Sequence, residues 1–139
     1  MALWQYAYLE RDRALSANSG TVYVDLPKDE QIAALHLKCE ATAADVTAVV
    51  NSYSMLDAVS DIQVMLEGSK TAFYATAPVA AFLHTLITGR VPGGNLGSVG
   101  SLALDILIPF SMSFPDARYM LDTSRYSSAQ LQFSFSLNT

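Results

Sequence analysis

The chain has 139 residues, enough for one domain that buries roughly two thirds of its unfolded surface without a metal or a disulfide. It carries 8 basic and 13 acidic residues for a formal net charge of −5, and the basic residues are scattered, which argues against a general phosphate-gripping surface. Hydrophobic residues make up 51% and charged residues only 15%, below the usual share of about a quarter, which fits a chain whose neighbours in an assembly cover part of its apolar surface.

The lead-in, residues 1–20, begins MALWQYAYLERDR. It lacks the basic start and long apolar run of a signal peptide, and no stretch of 18 or more apolar residues predicts a membrane span. Trp4, Tyr6 and Tyr8 alternate, as in an edge strand or an extended arm. Two readings stand side by side: a poorly packed terminus, or an arm that docks these aromatics on a neighbouring subunit. On the second reading Trp4, Tyr6 and Tyr8 are the candidate subunit contacts.

Residues 21–139 form the expected domain. Val22 and Val24 alternate with Tyr23 and Asp25, Leu26-Pro27-Lys28-Asp29 breaks the pattern, and Leu35 and Leu37 then alternate with His36 and Lys38. The spacing predicts an opening hairpin: strand, exposed charged turn, strand. Pro27, which has no N–H to donate, ends the first strand at a sheet edge. Residues 40–54 continue in strand, one long or two short, on the β-branched Thr42, Val46, Thr47, Val49 and Val50.

A second hairpin follows. Ile62, Val64 and Leu66 share one face of a strand over 61–67, a Gly68 turn reverses the chain, and 71–76 returns. The period then changes. Pro78 suits a first helical turn and Gly89 a C-cap, and Val79, Phe82, Leu83 and Leu86 fall at helical spacing. One short helix, 78–89, is expected, packed on a sheet or against a subunit. Residues 90–100 hold four of the seven glycines and form a loop. Leu102, Leu104, Ile106 and Ile108 mark the next strand, Arg118–Leu121 a short one, and Leu131, Phe133, Phe135 and Leu137 alternate through the last. The fold class expected is all-β: an antiparallel jelly-roll β-sandwich of about eight strands with one short helix.

Nothing in the chain reads as a reaction centre. Gly94, Gly97 and Gly100 are three apart, but a strand follows them where a dinucleotide site needs a helix, so no cofactor is expected. His36, His84 and the single cysteine, Cys39, fit no metal-ligand spacing, and no metal is expected. Cys39 lies in an apolar strand and reads as a buried, inert thiol. Asp61 and Glu67 are roughly 20 Å apart along an extended strand, too far to act as a pair. No nucleophile elbow surrounds any Ser, so the chain is not expected to be an enzyme.

Several landmarks, in order, resemble the major capsid proteins of tailless icosahedral viruses of the PRD1–adenovirus type. They are Val24-Asp25-Leu26-Pro27-Lys28 leading into Ile32-Ala33-Ala34-Leu35-His36-Leu37; the strand at Ile62-Gln63-Val64 with its Glu67-Gly68-Ser69 turn; the helix ending at Gly89; and Leu121–Ser128 leading into the last strand. The resemblance implies a vertical jelly roll, either a single one or the first of a double one. It implies a structural coat protein that self-assembles into an icosahedral shell and resides in the virion after assembly in the host cytoplasm. Its partners would be copies of itself and other capsid proteins, with room for an internal membrane beneath the shell and no direct nucleic-acid binding. The residues by themselves leave a second reading open, a carbohydrate- or ligand-binding β-sandwich of lectin-like type.

Overall fold

Each strand of this protein finds its partner by nesting. In the computed structural model, which describes residues 5–42, 55–93, 101–111 and 119–137 (of Ser101 and Leu102 the backbone only), the chain runs β1 (Ser19–Asp25), β2 (Gln31–Ile32), β3 (Ala34–Thr42), α1 (Met55–Ala58), β4 (Val59–Leu66), β5 (Lys70–Ala75), α2 (Ala77–Thr88), β6 (Ser101–Pro109), β7 (Leu121–Asp122) and β8 (Ala129–Ser136), with a 3-10 turn at Thr123–Arg125. β1 pairs with β8, β2 with β7, β3 with β6 and β4 with β5, all antiparallel. The long nested hairpin is then rolled so that β4 also pairs with β8. The result is an all-β antiparallel sandwich: a sheet in the order β1-β8-β4-β5 faces the β3-β6 pair, with the short β2-β7 pair beside them.

One apolar core lies between the layers. Ile62, Val64, Leu104, Ile106 and Ile108 are fully buried, and Val22, Leu35, Leu37, Leu66, Leu131 and Phe133 are nearly so. All belong to one contiguous cluster. Each such aliphatic side chain contributes about 1.5–3 kcal/mol by leaving water. These residues are the alternating set of each strand, so period-two patterning places them on the core faces.

The β4–β5 hairpin closes through three residues, 67–69, between the paired Leu66 and Lys70. Glu67 (φ 54°) and Gly68 (φ 69°) both adopt left-handed backbone, and the Ser69 amide donates to the Leu66 carbonyl at 3.2 Å. This is the primed turn whose twist matches the strands it joins. β4 also contains a bulge. Against β8, Ser60 pairs with Ser134 and Gln63 with Gln132, so β4 has one residue more than its partner, with Asp61 at φ 51°. The extra residue changes parity and brings both Val59 and Ile62 onto the core face.

Three expectations are corrected. The opening stretch is not a hairpin: β1 and β3 lie in different sheets, and 26–33 crosses between them. Pro27 does end β1 at a sheet edge. The Leu26 amide makes a last ladder bond to Ala129 (2.9 Å), and Lys28, Asp29 and Glu30 are exposed. The single expected helix is joined by a second, α1, one turn long. The strand expected at Arg118–Leu121 is Leu121–Asp122. Most of the strand expected over 40–54, and the glycines from Gly94 to Gly100, lie outside the described residues.

Candidate interaction surface

Among the described residues the longer helix, α2, carries a run of exposed apolar side chains. Thr76 caps it in extended conformation, Pro78 sits in its first turn, and Gly89 (φ 72°) ends it with its amide donating to Thr85 at 2.9 Å. α2 packs against β6, β4 and β5, but most of its large apolar residues take no part. Ala77 and Ala80 are its buried positions, while Val79, Phe82 (62% exposed), Leu86 (63%) and Ile87 face outward. The helix thus packs on the sheets as expected, but through its alanines, with Leu83 and His84 half-buried beside them. The fully buried Ile and Leu side chains of β4 and β6 already fill the interior, so only the small alanines allow the helix backbone a close approach.

His84 holds α2 to the sandwich. The Leu107 amide donates to His84 Nδ1 at 2.9 Å. An amide can only donate, so Nδ1 is unprotonated and the ring's proton is on Nε2. One residue pair away, the Asp105 amide donates to the Gly93 carbonyl at 3.2 Å. These two bonds engage two amides on the side of β6 turned away from β3. His84 is a structural residue.

The arm bears Tyr6 and Tyr8; Trp4 lies outside the described residues. Residues 5–20 are exposed throughout, with Tyr6 at 68% and Tyr8 at 66%. The two rings meet edge-on at 5.4 Å, and the Arg11 guanidinium lies 5.3 Å from the Tyr8 ring centre. Tyr6 Oη is 3.2 Å from His36 Nδ1, and His36 Nε2 bonds the Asp105 carboxylate. Tyr6 and the Asp105 carboxylate thus engage the two ring nitrogens of His36. Arg13 donates to the Tyr23 carbonyl at 3.3 Å, fixing the arm along the outer edge of β1. The structure therefore brings Tyr6 and Tyr8 together on the outer side of β3, on their own chain.

Other polar groups have local roles. Cys39 packs against the core and burial pushes its thiol up to about 11. Tyr74 donates to Asp61 at 2.8 Å, and this carboxylate holds the phenol above its usual range. Among the described residues no three His, Cys, Asp or Glu side chains converge as a metal site would require. A groove of about 280 Å³ beside Asp25, Lys28 and Tyr126 is smaller than the usual small-molecule site, roughly 300–1,000 Å³. Its Thr123 hydroxyl is already engaged by Pro27 and Glu30.

The fold thus defines an all-β antiparallel sandwich with an apolar helix face and an aromatic arm on its exterior. No protein-family model, curated protein or solved structure matches this chain. The outward turn of the α2 stripe was not legible from periodicity. Helical spacing marks an apolar face but not the partner that covers it.

Proposed function

We propose that this chain is a structural subunit that assembles with copies of itself into a closed shell, as a viral coat protein of the jelly-roll type. The observation that carries the reading is the placement of large apolar side chains on the outside. Phe82, Leu86, Tyr6 and Tyr8 are each more than 60% exposed, on a chain with only 15% charged residues. Apolar surface of this kind, on a chain with few charges to offset it, marks protein–protein contacts. The sequence landmarks shared with vertical jelly-roll capsid proteins support the same reading. So does the acidic balance of the chain, which suits a shell that does not itself grip the genome. In this reading the chain is not an enzyme; its partners are copies of itself and other coat proteins, and its place is the virion.

The test is direct. The full chain is purified, and its mass is followed by sedimentation velocity over a wide concentration range, with negative-stain microscopy of the heaviest fraction. Oligomers that grow with concentration, or regular particles, are expected. A strict monomer at the highest concentration would overturn the reading.

A further inference from the structure

Among the described residues the two main layers of the sandwich present four lateral strand edges, at β1, β5, β3 and β6, and three of these are guarded. At β1, Arg13 engages the Tyr23 carbonyl and the arm runs alongside. At β6, His84 and Gly93 take up the Leu107 and Asp105 amides. β3 carries His36, Lys38 and Glu40 on its solvent side, the charged decoration that keeps an edge from pairing. β5 is different. It is the last strand of the β1-β8-β4-β5 sheet, and among the described residues nothing pairs with its far side. Its single charge, Lys70, sits at its first position and is tied to Glu67 at 3.1 Å.

The lack of charge continues beyond the strand. From Thr71 to Gly89, the rest of β5 and all of α2, the sequence TAFYATAPVAAFLHTLITG contains no Asp, Glu, Lys or Arg. Only Thr76 separates β5 from α2. The open edge and the apolar stripe of Val79, Phe82 and Leu86 therefore belong to one continuous uncharged unit.

The geometry points to a two-fold contact between two copies of this chain, in which β5 pairs antiparallel with β5 of the partner and the outward face of α2 is buried with it. This rests on the self-assembly reading above and names the surface that begins it. Two features select a second copy over another partner. Two copies that each carry a net charge of −5 repel, and an uncharged surface lets them meet at least electrostatic cost. The surface is also self-complementary. An antiparallel strand edge offers donors and acceptors that match its own across a two-fold axis, and an apolar face matches itself. A strongly acidic or basic partner would find no charge within Thr71–Gly89 to pair with.

The full chain tests this by sedimentation velocity and cross-linking. Ala72 is exposed in the middle of β5, so Ala72→Lys sets two like charges across the axis. Phe82→Lys with Leu86→Lys charges the helix face. Each change is expected to weaken the dimer by about tenfold or more, with circular dichroism unchanged. In a Cys39→Ala background, Thr71→Cys or Ala72→Cys is expected to form a disulfide to the same residue of the second copy, and this readout stands even if a lysine variant fails to fold. If the wild type associates but both lysine variants associate equally well and neither cysteine cross-links, the β5–α2 contact is wrong while self-assembly survives. If the wild type is monomeric at every concentration, both readings fall.

Discussion

Thr123 and Glu30 bond each other reciprocally. The Glu30 amide donates to Thr123 Oγ1 at 3.0 Å, and the Thr123 amide donates to the Glu30 carbonyl at 2.9 Å. The same hydroxyl lies 2.8 Å from the Pro27 carbonyl and 3.0 Å from that of Glu30, between which its single proton is shared. Thr123 is 2% exposed. These contacts join residues 93 apart in sequence and hold the 26–33 crossover that carries the chain from one sheet to the other. Thr123→Val keeps the shape but strands the Glu30 amide and a carbonyl. It should destabilise the fold by about 1–3 kcal/mol, read as a lower urea midpoint at unchanged slope.

His84 should behave as an edge-capping residue. His84→Leu retains bulk but leaves the Leu107 amide without its acceptor, and a loss of about 1–2 kcal/mol is expected. His84→Asn, which brings a carbonyl oxygen, should recover part of it. Hydrogen exchange at Leu107 should accelerate in the leucine variant while the amides of β8 keep their protection. Equal acceleration across both strands would show that His84 acts on the whole fold and not on this edge.

The turn of the second hairpin gives a cleaner measurement. A Cβ on Gly68 meets nothing within 4 Å, so Gly68→Ala tests backbone strain alone. The left-handed conformation should make it cost about 1 kcal/mol. Gly68→Asn, which tolerates that conformation, should cost less. Equal thermal midpoints for the two variants would contradict this assignment.

Cys39 sets an alkaline limit on stability. Burial raises its thiol to about 11 in the folded chain, while the unfolded chain titrates in the ordinary thiol range. The folded state holds the proton more tightly, so its advantage is complete below that range and is lost as pH rises from it toward 11. Comparison of wild type with Cys39→Ala isolates this slope from tyrosine and lysine titration. The native thiol should react slowly with a disulfide reagent at neutral pH and rapidly in urea. Fast native labelling would place Cys39 outside the core cluster.

Much of the sandwich is legible in the residues. Ile62, Val64 and Leu66, then Leu104, Ile106 and Ile108, then Leu131 and Phe133 occupy the buried faces that alternation assigns them. The β4–β5 hairpin, α2 and its Gly89 cap also follow from local signals. The bulge at Asp61 is hidden, because alternation restarts at Ile62 and nothing local shows that Val59 must join the same face. Of the candidate contacts, Tyr6 and Tyr8 are exposed; the bond from Tyr6 to His36, and from His36 on to Asp105, joins residues 30 and 69 apart in sequence, which no local pattern shows.

Side-chain parity and turn chemistry are local properties, so the sequence alone places most of the described strands, the core-facing residues within them and the reversal at Gly68. Partner choice is a non-local property. Only the folded chain decides that β1 leaves β3 for β8, because Pro27 stops the ladder and Thr123 ties the crossover down. It alone decides that α2 buries two alanines and turns Phe82 and Leu86 to solvent, because the β4 and β6 side chains have already filled the space those residues would need.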